Sequence, residues 1–280
     1  MQALILGLVA ALAWGFHDLC IRVVAQRTSI PAAILTVFVI GAILVFAVAL
    51  FLGEAALPNG PALWLACLAG FIFACGGYGL YRAFAIGPVK LVAPIVGSFP
   101  IISVAMASLQ GDQISLPQWL AVFVIVAGVG CVAIFSKENE GGEISRAAIL
   151  WGILAATCFA LSFAAGQAAT QAGAEMPVLI MTRVASVATV AAAVLISRTD
   201  IRPPLRLLPA LFAMGALDVL ALGLVLMAGN LPNPEFASVS SSLFGLITVV
   251  LAWAILRETM TRGQWISVAV TFSGIAYLGH

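Results

Sequence analysis

The stretch LLPALFAMGALDVLALGLVLMAG, residues 207–229, holds one charge, Asp218, near its centre. A carboxylate at bilayer depth costs about 2.5–3.5 kcal/mol on insertion scales, so it is found facing a bundle interior or a wet cavity. A run of this length and apolarity is long enough to cross the hydrocarbon as a helix. Asp218 therefore predicts a membrane protein with a polar path or site inside it.

The rest of the chain agrees. Of its 280 residues, 63% are hydrophobic and 8% charged, and the mean hydropathy is +1.18. Soluble domains run at about 45–50% apolar and about 25% charged, so lipid must be the solvent here. The net charge of +1 comes without a basic patch interleaved with aromatics, which sets nucleic acid aside as a partner. Met1 to Ala13 lacks a basic residue before its apolar core, and the hydrophobicity continues past Trp14; this reads as a first membrane helix rather than a cleaved leader. The five cysteines, Cys20, Cys67, Cys75, Cys131 and Cys158, lie in apolar runs without metal-ligand spacing. Neither a disulfide, a metal nor any other cofactor is expected.

Breaks in the hydropathy divide the chain into ten candidate spans: 3–25, 31–53, 61–85, 89–110, 117–136, 147–171, 176–197, 206–229, 234–256 and 262–279. Pro31, Pro58-Asn59-Gly60-Pro61, Gly87-Pro88, Pro117, Pro177, Pro203-Pro204 and Pro232-Asn233-Pro234 supply turns or helix starts. The one long polar stretch, Lys137 to Arg146, reads as a linker (137–146) between a first unit, 1–136, and a second, 147–280.

The two units resemble each other. Leu6-Gly7-Leu8 aligns with Trp151-Gly152-Ile153, and Ser98-Phe99-Pro100 with Leu243-Phe244-Gly245, both at an offset of 145. Gln118-Trp119 aligns with Gln264-Trp265 one residue further out. Repetition at a fixed offset signals duplicated architecture. Five spans per copy is an odd number, so the second copy enters the membrane upside down. That is the plan of secondary transporters, whose site lies near the midplane between repeats. The expected fold is thus an all-α integral membrane protein, ten transmembrane helices in two inverted five-helix repeats around a central cavity. Eleven of the twelve Lys and Arg fall in or beside odd-numbered connections, which by the positive-inside rule places both termini outside.

Within the spans, a few side chains carry chemistry. Span one has Trp14, His17 and Asp18 on one face, with Arg22 spaced to pair with Asp18; His17 and Asp18 suit an amine or a proton relay. Span three is rich in glycine and carries Tyr78 and Tyr81, which suit either an amphipathic solute or an interfacial belt. Span four contains Pro94, Gly97, Ser98 and Pro100; span nine contains Ser240, Ser241, Ser242 and Gly245. Helix breaks in membranes survive against protein or water-filled space, and their recurrence in both copies points to the transport path, with Pro94, Pro100 and Gly245 as hinges. Serines in helices also bond their own backbone. Arg183 in span seven has Asp218 or a substrate carboxylate as its natural partner. Gln167, Thr170 and Gln171 in span six add hydrogen-bonding capacity.

Taken with the ten spans, these residues resemble the drug/metabolite transporter superfamily, specifically the EamA family and within it the YddG-type aromatic amino-acid exporters. The likeness rests on the aromatic of each opening helix, Trp14 and Phe159, on Phe99-Pro100 and Phe244-Gly245, and on Leu256-Arg257-Glu258-Thr259-Met260-Thr261 followed by Gln264-Trp265. The resemblance implies export of small metabolites, with spans one, three, four, six, eight and nine facing a central cavity. It also implies cytoplasmic termini, against the charge count.

The function expected is a secondary transporter of the inner (plasma) membrane. It would export amino acids or similar small amphipathic metabolites by alternating access, as a uniporter or coupled to protons through Asp218 or His17. Its partners would be the small-molecule substrate and the lipid bilayer, with no nucleic acid and no obligate protein partner. A purine or drug-like cation is the alternative cargo. The absence of a phosphate loop sets direct ATP use aside, and the scarcity of deep cations disfavours phosphorylated cargo. An intramembrane aspartyl protease built on Asp18 and Asp218 is a remote alternative, because neither lies in a Gly-x-Gly-Asp context; no enzyme activity is expected.

Overall fold

The computed structural model describes residues 1–24, 27–86, 92, 95–109, 111, 113–135, 146–198, 201, 203–256 and 261–278. These form helices α1 (Gln2–Val24), α2 (Ile30–Leu52), α3 (Gly60–Ile86), α4 (Phe99–Leu109), α5 (Leu116–Phe135), α6 (Arg146–Ala172), α7 (Glu175–Ser197), α8 (Leu208–Met227), α9 (Glu235–Ser241), α10 (Phe244–Leu256) and α11 (Arg262–Leu278). Six helical stretches among the described residues are long and apolar enough to cross a membrane: Gln2–Ile21, Ile30–Leu52, Gly60–Ile86, Arg146–Ala172, Glu175–Ser197 and Leu205–Asn230. Helix satisfies every backbone group internally, which is what hydrocarbon demands. Side chains such as Phe51, Trp64, Leu195 and Ile196 point outward, as lipid permits. Pro94, the stretch Arg257 to Met260 and nearly all of the linker 137–146 lie outside the described residues.

Proline and glycine set the ends. Pro31 and Pro209 occupy the first turns of α2 and α8, where a missing N–H costs nothing. Gly53 ends α2 at φ +74°, and its N–H bonds back to the carbonyls of Ala49 and Leu50.

Two helices that the hydropathy reads as single spans are interrupted. The stretch 234–256 is split by a turn at Ser242-Leu243, and a turn at Gly97-Ser98 precedes α4. The two turns are 145 residues apart, and α4 and α10 each begin at the following phenylalanine, Phe99 and Phe244.

Close packing between the halves repeats in the same way. A Cβ on Gly70 of α3 would collide with the Thr182 carbonyl oxygen and the Ala185 side chain on α7; one on Gly215 of α8 would collide with the Val37 carbonyl oxygen and Ile40 on α2. Gly215, Thr182 and Ala185 each lie 145 residues after Gly70, Val37 and Ile40. The α3–α7 and α2–α8 interfaces are therefore one interface made twice. Between α5 and α11, Gly128 abuts Thr271 and the Ser267 carbonyl oxygen, while Gly274 abuts Ile125 and the Ala121 carbonyl oxygen, now at an offset of 146. Small residues that let backbones touch are the usual means of helix association in lipid.

Candidate functional site

The middle residue of α3 is Phe73, that of α6 is Phe159, and Asp218 lies at the middle of α8. These midpoints meet around one cavity, with about 510 Å³ of space outside the atoms, its mouth included. Its lining is aromatic: Trp14, Phe38, Phe73, Tyr81, Phe99, Phe159, Phe163 and Phe244, with Val37, Gly77 and Leu80 between them. Phe163 is the hub. Its ring stacks on Trp14 at 5.5 Å and Phe159 at 6.1 Å, and meets Phe99 edge-on at 5.6 Å. Phe159 in turn packs on Phe73 at 5.6 Å.

The polar lining comes from His17, Asp18, Tyr81 and Asp218. His17 Nδ1 lies 3.2 Å from Asp18 Oδ1, and its ring meets Tyr81 edge-on at 6.5 Å. Tyr81 is buried, and its hydroxyl has no hydrogen-bond partner among the described residues. Asp218 is held from both sides: Trp14 Nε1 donates to Oδ1 at 3.0 Å and Arg183 Nη1 donates to Oδ2 at 2.7 Å. Arg183 Nη2 also donates to the Asp218 backbone carbonyl at 2.9 Å. The guanidinium is fully buried and lies over the rings of Phe73 and Phe38, 5.1 and 5.6 Å from their centroids. Ring faces carry negative potential, so they add to the carboxylate in holding a cation. Arg183 thus takes Asp218 as its partner and stands behind the lining, not in it.

Of the residues singled out in the sequence, Trp14, His17, Asp18, Tyr81, Phe99, Phe159 and Asp218 come together at the cavity. Tyr78, Ser98, Ser241 and Ser242 do not. Tyr78 sits on an exposed face, its ring against Trp151 at 5.7 Å. Ser98 donates to the Ile95 carbonyl, Ser241 to that of Ser238 and Ser242 to that of Val239. These hydroxyls satisfy the broken helices' own backbone. Pro100 and Gly245 are the second residues of α4 and α10, directly after the two turns. The Arg22 side chain expected beside Asp18 is outside the described residues. Sequence reasoning passed over Phe38, Phe73, Phe163 and Phe244. The repeat offset carries a signal for Phe244, as the counterpart of Phe99. The lining also includes the second span, through Val37 and Phe38, which the family resemblance does not imply.

With this geometry in view, comparison with known proteins gives a family. The model of the EamA-like transporter family matches residues 1–134 and again 146–279, so the chain belongs to that family and carries its domain twice. No curated protein matches it. Twenty-nine chains of known structure, 29 in all, match. One, described simply as a crystal structure of a protein, agrees at a TM-score of 0.80 with 16% identity, covering 99% of this chain and 96% of that one; this likeness is one of fold. Family and apolar helices together make this a multi-pass membrane protein, a transporter of small solutes.

Proposed function

We propose that this protein is a secondary exporter of the inner membrane. Its cargo is a small amphipathic metabolite with an aromatic or branched apolar body and an amine, such as an amino acid or the corresponding amine. The single observation that carries this reading is the ring-lined cavity at the midpoints of α3, α6 and α8, polar at His17, Asp18 and Tyr81. Rings cover an apolar body, and a histidine, a carboxylate and an unpartnered hydroxyl suit a nitrogen. Among the described lining residues there is no Lys or Arg, and Arg183 is engaged with Asp218. Among the described lining residues a cargo carboxylate thus meets no cation, which favours amines and drug-like cations over zwitterions. Nothing in the site favours a protease: Asp218 is bound to Arg183 and Trp14, not to a second carboxyl.

The mechanism proposed is alternating access by ten spans in two oppositely inserted copies, 1–136 and 147–280, joined by 137–146. The interface made twice, at Gly70 and Gly215, supports it, because equivalent packing lets the two copies exchange conformations. The paired turns at Gly97-Ser98 and Ser242-Leu243, followed by Pro100 and Gly245, are the natural hinges. Coupling, where present, runs through His17 and Asp18, because both Asp218 oxygens are occupied.

Protein reconstituted in liposomes should move aromatic amines down a gradient without ATP, faster than the matching amino acids, purines or sugar phosphates. Flux that requires ATP, or flux confined to phosphorylated solutes, would overturn the reading. His17→Gln should remove any dependence on a pH gradient, whereas Asp218→Asn should slow flux equally with and without one.

A further inference from the structure

A second pocket, with about 480 Å³ outside the atoms when the open solvent at its mouth is counted, continues along the helices that form the aromatic cavity. On α4 the lining passes from Phe99 in the cavity to Ser103 in this pocket, and on α6 from Phe163 to Gln167 and Gln171. Four residues of helix advance about 6 Å, so the pocket begins one turn beyond the rings. It lies on the side where α4 and α6 end and α9 begins. Glu235, the first residue of α9, lines it and is buried.

Every polar side chain that lines this pocket can accept a hydrogen bond. Gln167 Nε2 donates to the carbonyls of Val225 and Pro234, both at 3.0 Å, and Gln171 Nε2 donates to that of Gly229 at 2.9 Å. A carbonyl partner fixes which end of each amide is the nitrogen. What Gln167 still offers is its side-chain oxygen, and Gln171 its oxygen and one N–H. Glu235 adds the one formal charge among the described lining residues. Ser103 is 6% exposed, and its hydroxyl has no hydrogen-bond partner among the described residues. A buried polar group left this way costs stability and asks for an explanation, and a ligand is one. The connection after α6 brings Glu175 to this end, and in the sequence the even-numbered connections contain acids and no Lys or Arg, so the field here draws cations.

We infer that this pocket is a second station on the transport path, which binds the ammonium group of the cargo between the Glu235 carboxylate, the glutamine oxygens and the Ser103 hydroxyl. This rests on the aromatic cavity being the cargo site. The cargo would turn its charge toward Glu235 as its ring leaves Phe163.

The test uses two probes of one shape, tryptamine and its neutral analogue tryptophol, binding to the purified full chain. Hydrogen bonds to charged groups are strong enough that the wild type should prefer tryptamine by about tenfold or more. Glu235→Gln should reduce that preference several-fold, leaving the part that His17 and Asp18 supply in the cavity, and leave tryptophol affinity unchanged; Ser103→Ala, which changes no charge, should reduce it less. Helicity and elution volume verify that both variants fold. A preference undiminished by Glu235→Gln would overturn the inference while leaving the cavity reading intact; equal affinities in the wild type would overturn both. Loss of tryptophol binding in wild type would instead strike the cavity reading. A Glu235-dependent response to NaCl over choline chloride, with none to tryptamine, would give the pocket to a sodium ion and overturn the ammonium assignment.

Discussion

Arg183 and Asp218, joined at 2.7 Å, stand 145 residues after Phe38 and Phe73, whose rings pack at 5.7 Å. The duplicated unit holds two aromatic rings at these positions in its first copy and an ion pair in its second. The two solutions touch, because the guanidinium lies over both rings. One copy thus supplies the negative ring faces that steady the cation of the other.

Removing one member of this pair should be far worse than removing both. A buried charge stripped of its partner costs about 3–5 kcal/mol, whereas apolar replacement of the whole pair is often neutral. Asp218→Ala and Arg183→Ala should each lower the thermal midpoint of the purified protein strongly. The double variant Arg183→Met/Asp218→Leu should recover most of the loss, since its site already contains Phe38 and Phe73. A double variant as unstable as the singles would show that the pair does more than neutralise itself.

Phe163 touches more cavity rings than its neighbours do, so its loss should be felt in cargo affinity. Aromatic pairs contribute about 0.5–1.5 kcal/mol each beyond area burial, and Phe163 stacks on Trp14 and Phe159. Phe163→Ala should weaken binding of a ring-bearing amine by about tenfold and leave an aliphatic amine of equal charge much less affected. Equal losses for both would mean that the substitution loosens the bundle instead of emptying a ring site.

Asp218 was legible in the sequence because a charge inside an apolar run must find a partner or water in lipid, and the partner it finds is Arg183. Several helix ends were legible because Gly or Pro stands at them, as Pro31 and Gly53 do in α2. Phe38, Phe73 and Phe163 were not. In hydropathy they are indistinguishable from Phe46, Phe51 and Phe71, which face outward. In a soluble protein an apolar side chain signals the inside; in a bilayer both sides are apolar, and only the three-dimensional arrangement separates lining from lipid contact. Ser241 and Ser242 lie apart from the cavity lining for a related reason. A hydroxyl in a membrane helix satisfies itself on its own backbone as readily as it faces water. Glu235, beside Pro232-Asn233-Pro234, looks like an ordinary loop acid until the fold buries it.

Gly70 and Gly215 test the equivalence of the two interfaces. Each would drive a Cβ into a backbone carbonyl oxygen of the facing helix, and backbone cannot turn aside as a side chain does. Gly70→Ala and Gly215→Ala should each destabilise by about 1–3 kcal/mol, the usual range for overpacking. Gly223→Ala, which would meet only the end of the Leu179 side chain, should be mild. Destabilisation by one of the first pair and not by the other would break the equivalence that supports exchange between two conformations.

Orientation decides what the pocket at Glu235 does. The positive-inside rule assigns the odd-numbered connections to the cytoplasm, which places the end that carries Glu235, Glu175 and Glu54 outside. If the protein exports as proposed, its cargo then passes from the rings toward an acidic exit, down a favourable field. In a background with the five native cysteines replaced, Ala55→Cys on an even connection should react with an impermeant maleimide in intact cells. Leu205→Cys, exposed before α8, should react only after permeabilisation. The opposite pattern would place the acidic pocket at the cytoplasmic mouth. Glu235 would then collect cations from inside, and export would begin at that pocket and end beyond the aromatic cavity.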